Sequence, residues 1–134
     1  MRPAGLNWWA VVGAAITFYA IGFVIYVLLI PMDSWWAMSG MTDSEKAIAT
    51  SRMAFSPIMP LLTAILLAIL FKWGEVRSVA EGIKWAAAVA LGSAIPALLY
   101  DWVYGGMPTA KTAIDCAHLL LGHLASGAIL GRWK

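Results

Sequence analysis

Four long apolar blocks, at about residues 8–30, 57–71, 85–103 and 112–130, are separated only by short charged segments. A soluble domain of 134 residues cannot cover that much apolar surface, because a small fold leaves a large share of its chain exposed. Hydrophobic residues make up 62% of the chain, so the blocks read as membrane spans. Each supplies roughly 15 to 23 helical residues, approaching the ~30 Å of hydrocarbon at 1.5 Å rise. Lipid offers no partner to an exposed backbone N–H or C=O, so helices are the default. A β-barrel needs alternation, and runs such as LLTAILLAILF do not alternate. The expected fold is a single-domain, all-α membrane bundle of four transmembrane helices at about 8–30, 54–73, 83–104 and 110–131.

The 31–56 connection is the longest. Thr42 and Glu45 have the spacing of a capping box, which predicts a short amphipathic interfacial helix from Asp43 to about Phe55 between spans one and two. Ser56 and Pro57 read as the N-cap and first residue of the second span, and the alternative is one long helix kinked at Pro57 and Pro60. Gly105, Gly106 and Pro108 mark the turn between spans three and four.

Orientation follows from the Lys and Arg residues outside the spans. Arg2, Lys72, Arg77, Lys84, Arg132 and Lys134 share the side of the termini, against Lys46, Arg52 and Lys111 on the other. This distribution predicts cytoplasmic N and C termini. The tryptophans give the same map. Trp8, Trp9, Trp73, Trp85 and Trp133 fall at one set of span ends, and Trp35, Trp36 and Trp102 at the other. An apolar ring with one polar atom suits that depth, so they read as interfacial anchors. The stretch after Arg2 is longer than a signal core and reads as a retained anchor.

Small residues recur every fourth position at Ala88, Gly92 and Pro96 on span three, and at Gly127 and Gly131 on span four. That spacing lets helix backbones approach closely. It serves internal packing and homo-oligomer formation alike. Pro96 is expected to kink span three.

Polar residues at membrane depth are the candidates for function, because a buried charge there is costly and is usually partnered. Asp115, His118 and His123 lie on span four, with Asp115 and His118 on one helical stripe and His123 turned about 140° from His118. Three readings stay open. Asp115 pins the end of its helix, taking bonds from residues 109–112 or from Tyr100. Alternatively, Asp115 and His118 carry protons along a transport path, or the two histidines ligate a metal or haem. The angular separation argues against one metal bound by both. Asp101, beside Tyr100 at the end of span three, is expected to be satisfied by water or Lys111.

Other chemistries find no support. The lone Cys116 precludes an internal disulfide or a CxxC pair. A net charge of +2, with cations at the span margins, gives no reason to expect nucleic acid. HExxH, GxSxG and Walker-type motifs are absent from the sequence, and no metal or other cofactor is expected.

Taken in order, several short motifs resemble a known family. They are Asn7-Trp8, the run from Gly22 to Tyr26, Trp35-Trp36 followed by Gly40-Met41-Thr42, Ala113-Ile114-Asp115, and the run from Gly127 to Trp133. Together they resemble the small bacterial four-span family catalogued as domain of unknown function family 1761. The resemblance covers essentially the whole chain and departs at Ile25-Tyr26, where that family typically shows Trp-Tyr. It does not extend to His118 and His123. It implies the fold and topology and supplies no activity. The reading is therefore a bacterial inner-membrane protein with the lipid bilayer as its surroundings. It is expected to act without catalysis, as a homo-oligomer or as a subunit of a larger membrane complex. The alternative is a proton-linked carrier or channel for a small solute.

Overall fold

The computed structural model describes residues 5–133; Arg2 and Lys134, counted above among the charges beside the termini, lie outside them. Among the described residues every regular element is helical. Helix α1 (Trp8–Phe23) starts where Asn7 Oδ1 accepts the Ala10 N–H at 3.3 Å, and it runs on into a π-helical stretch, Val24–Leu29. Helix α2 (Met32–Ser39) stops at Gly40, whose φ of 63° is left-handed and suits a residue without a side chain. Helix α3 (Asp43–Arg52) is opened by Thr42, with Glu45 reaching back to the Thr42 N–H. A 3₁₀ turn, Met53–Phe55, leads toward α4 (Ile58–Trp73). Helix α5 (Val79–Val89) passes through a second π-helical stretch, Ala90–Ala94, into α6 (Ile95–Tyr104). Helix α7 (Thr109–Arg132) closes the chain.

Three of these stretches, Trp8–Leu29, Val79–Tyr104 and Thr109–Arg132, are long and apolar enough to cross a membrane. The 16 residues of α4 rise only roughly 24 Å. Asp43–Phe55 meets Ile58–Trp73 at a bend of 44°, and a fourth candidate span is counted only when that bent pair is taken as one. The chain is a multi-pass membrane protein.

Local expectations are corrected in three places. The helix after Thr42 ends at Arg52, the last three residues to Phe55 being a tighter turn, and α2 precedes it. Ser56 does not cap α4; Pro57 takes that position, and Ser56 Oγ meets Tyr19 Oη at 3.2 Å. Span three begins at Val79 rather than near 83, because Ser78 Oγ accepts the Glu81 N–H at 3.2 Å and starts the helix early. At Pro96 the helix is continuous: one residue before it, Ile95 N–H reaches back five residues to the Ala90 carbonyl. The widened turn absorbs the donor that proline lacks.

The interior is built from small side chains. Ala10, Ala14, Ala64, Ala86 and Ala90 are buried, while Ile16, Leu62 and Leu91 are 63%, 60% and 58% exposed. In water this would be inverted. In lipid the outward leucines cost nothing, and helices associate through close contact instead. Helix α7 is the hub, touching α1, α2, α4, α5 and α6. Its Gly127 lies directly on Gly82 of α5: a methyl group added at Gly127 would sit 2.5 Å from the Gly82 carbonyl oxygen. Gly131 is equally tight, a methyl there coming within 2.6 Å of the Ser78 carbonyl oxygen.

The span-three partners are thus Gly82, Ala86 and Ala90. Ala88, Gly92 and Pro96 do not pack the bundle. Ala88 and Gly92 are exposed, Pro96 is half-buried, and a methyl added at Gly92 would meet nothing within 4 Å. Spacing identifies a small-residue stripe but not the helix face that meets a neighbour; here the stripe two residues out of phase does.

Candidate functional site

At the end of the bundle away from the termini, the polar residues of spans one and four converge. Asp115 is held from both sides. Lys111, one turn earlier on α7, donates from Nζ to Oδ2 at 2.9 Å, and Tyr26 of span one donates its hydroxyl to Oδ1 at 2.5 Å. The ion pair is largely enclosed, with the Lys111 and Asp115 side chains 12% and 16% exposed. Helix α2 supplies the cover. The Trp35 ring lies 4.7 Å from Lys111 Nζ and meets Tyr26 edge to face at 4.9 Å between centroids. A cation above an indole gains from the negative face of the ring, so α2 is anchored by the charge it shields.

Tyr26 extends the network inward, with Oη 3.4 Å from His118 Nδ1. A phenol has one proton, and the short contact commits it to Asp115. At this contact Tyr26 Oη is left to accept, which the Nδ1–H tautomer of His118 satisfies. The His118 Nε2 is buried and has no hydrogen-bond partner among the described residues. It abuts Gly22, where a methyl group would come within 2.9 Å of it. The fit is reciprocal one layer deeper, where Gly122 of α7 receives the Phe18 ring of α1. Phe18 meets His118 and His123 edge to face at 5.4 and 5.3 Å.

The line of polar contacts stops there. His123 is buried and turned back on its own helix, donating from Nδ1 to the Leu119 carbonyl at 2.7 Å. Next along α7, Ser126 Oγ donates to the Ala14 carbonyl at 3.1 Å, a buried tie between spans. The arrangement joins the Lys111–Asp115 ion pair to a phenol–imidazole contact through Tyr26. Among the described residues no three His, Cys, Asp or Glu side chains converge as a metal site.

The sequence-derived candidates separate. Asp115 and His118 join through Tyr26; His123 is adjacent but bonded elsewhere. Tyr100 is not a partner of Asp115, being exposed on span three and stacked on Tyr104 at 5.9 Å. Asp101 is exposed, and Lys111 pairs with Asp115 instead. Among the tryptophans, Trp35 packs over the polar cluster, Trp102 donates to Thr109 Oγ1 at 3.0 Å, and Trp9 and Trp73 are exposed near the termini. Tyr26 and Lys111 were missed as site residues. The i,i+4 spacing of Lys111 and Asp115 was a usable signal; the meeting of Tyr26 with Asp115, 89 residues apart, left none.

The sequence model of one family, described as Protein of unknown function (DUF1761), matches residues 9–131, nearly the whole chain. No curated protein and no solved structure matches the chain.

Proposed function

The chain belongs to the DUF1761 family of proteins of unknown function, and on that premise we propose that it acts by assembly within the membrane, through the outward face of span three. One observation carries this reading. Ala88, Gly92 and Pro96 form a small-residue stripe that points away from the chain's own core, with open space at Gly92. Tyr100 and Tyr104 continue the same four-residue register, and a shallow hollow is lined by Pro96, Leu99, Tyr100, Val103 and Tyr104. Helix α6 packs on α7 and leaves its remaining surface open. Lipid does not need glycine, whereas a second helix does, since close backbone approach is what holds helices together in a bilayer. The partner is another copy or a different membrane protein. The excess of Lys and Arg beside the termini supports an orientation with both termini cytoplasmic.

The test is the native particle mass after gentle extraction, compared between wild type and Gly92→Leu. The assembly reading expects a particle larger than one 14.4 kDa chain, reduced by the substitution without a change in the melting of the single chain. A wild type that runs as one chain at every concentration ends it.

A second reading, a proton-linked carrier, is favoured by the Lys111–Asp115–Tyr26–His118 line. The carrier needs a further state, because the small-residue contacts below His118 leave no polar route onward. Asp115→Asn in reconstituted vesicles distinguishes the two: the carrier loses a pH-driven flux, and the assembly reading predicts no flux to lose.

A further inference from the structure

The end of the bundle that carries the termini has a half-open hollow of about 210 Å³. The hollow lies between the start of α1, the end of α4 and the end of α7. Its wall is mostly apolar: Leu6, Ala10, Phe71 and Leu130 line it, each buried by the fold, with Asn7 as a polar member beside Lys72. Lys72 stands at its mouth. Lys72 is exposed, and its ammonium lies on the α1 side, where a methyl group added at Gly5 would come within 2.9 Å of Nζ. Gly5 has a φ of 68°, a left-handed conformation that favours glycine and leaves this space open. Trp133 lines the hollow as well, and Arg132 is exposed one residue earlier.

An apolar wall with a cation at its mouth, set among span-end tryptophans, matches one class of ligand: an amphiphile with an anionic head. We propose that this hollow binds the phosphate end of an anionic membrane lipid. Lys72 Nζ holds the phosphate, and the wall from Leu6 to Leu130 takes the glycerol and the first part of a chain. A volume equal to roughly seven waters admits that much of a lipid and no more. Lys72 already has an interaction within the chain, and the three N–H donors of an ammonium can serve more than one acceptor. The site differs from the polar cluster at the opposite end and does not depend on assembly through span three.

The experiment uses the full chain in neutral detergent, titrated with phosphatidylglycerol or phosphatidylcholine, with bound lipid counted by native mass spectrometry. Wild type is expected to retain phosphatidylglycerol in preference. One basic side chain near an anionic headgroup accounts for about a fivefold change in affinity. Lys72→Gln should lose about that much, and Lys72→Arg should keep the preference. Ala68 also lines the hollow, and Ala68→Leu, which fills it and leaves the charge, should weaken retention as well. Equal retention by wild type and Lys72→Gln overturns the proposal. So does retention unaffected by Ala68→Leu, or a signal that inorganic phosphate alone reproduces in full.

Discussion

The two ends of the bundle are held together by opposite means. Near the termini, α5 and α7 touch backbone to backbone, with Gly127 on Gly82 and Gly131 on Ser78. At the far end, spans one and four meet through Tyr26, Asp115, Lys111 and His118, with Trp35 laid over them. The first contact rests on dispersion across a very short gap, which has no tolerance for added volume. The second rests on hydrogen bonds and charge, which tolerate small movements but not the removal of a partner. The helices differ accordingly. The glycine end is built on regular α-helix, whereas Tyr26 sits in the π-helical stretch Val24–Leu29. An extra residue in a turn re-aims the side chains that follow, and here the stretch carries the phenol that reaches Asp115.

The sharpest way to break this contrast is by volume. Gly127→Leu should abolish the folded chain or cost more than about 3 kcal/mol, since the added atoms meet the Gly82 carbonyl rather than a movable side chain. The same change at Gly92 should leave single-chain melting unaltered. Thermal melts of the two variants in one detergent provide the check, and equal losses would erase the distinction between the inward and outward stripes.

Charge tests the other end. Asp115→Asn keeps the shape and strips Lys111 of its counter-ion. Breaking a buried pair costs about 3–5 kcal/mol, and this one is close enough to the span end for the lysine to reach water, so a loss of about 2 kcal/mol is expected. The combined Lys111→Met, Asp115→Leu variant should recover part of it, because no unpaired charge remains. A double variant less stable than Asp115→Asn would show that the pair acts through Tyr26 rather than through its own charge balance.

Tyr26→Phe removes one hydroxyl and should cost about 1–2 kcal/mol. Its effect should largely vanish in the Asp115→Asn background, where the charged acceptor is already gone. A double-mutant cycle measures that coupling, and full additivity would mean that the 2.5 Å contact contributes nothing in the membrane.

The smallest effect belongs to the arm that neither end holds. Its Glu45 carboxyl is kept below the usual carboxylate range by hydrogen bonds from the Thr42 side chain and backbone. A depressed folded pKa gives stability that is present above the unfolded value and lost as pH falls through the folded one. Protection of the Asp43–Arg52 amides, taken relative to the intrinsic exchange rate at each pH, should therefore fall on acidification through the carboxylate range, and in Glu45→Gln it should not change with pH. The global melt should not move.

The capping box was legible because it is local: Thr42 and Glu45 are three residues apart and need only each other. The same holds for the Gly and Pro turn at 105–108. The stripe on span three was legible as a spacing and misleading as a contact, since Ala88, Gly92 and Pro96 have the right residues on the face that no other helix of the chain covers. Asp115 stood out because a carboxylate at membrane depth is costly wherever it lies. Its partner did not, for Tyr26 has the composition and position of an ordinary interfacial aromatic.

What the sequence alone determined is the class of fold. Apolar blocks of this length force helices, since every backbone polar group in lipid must be satisfied within its own segment. Span number, helix starts and the identity of costly polar residues follow from composition within a few residues of each site. Which faces meet was decided only in the tertiary structure. In lipid the outward and inward sides of a span are both apolar, so no hydrophobic pattern marks the interior. The choice falls to shape and to single hydrogen bonds between residues far apart in the chain. Gly127 finding Gly82, and Tyr26 finding Asp115, are settled by three-dimensional fit.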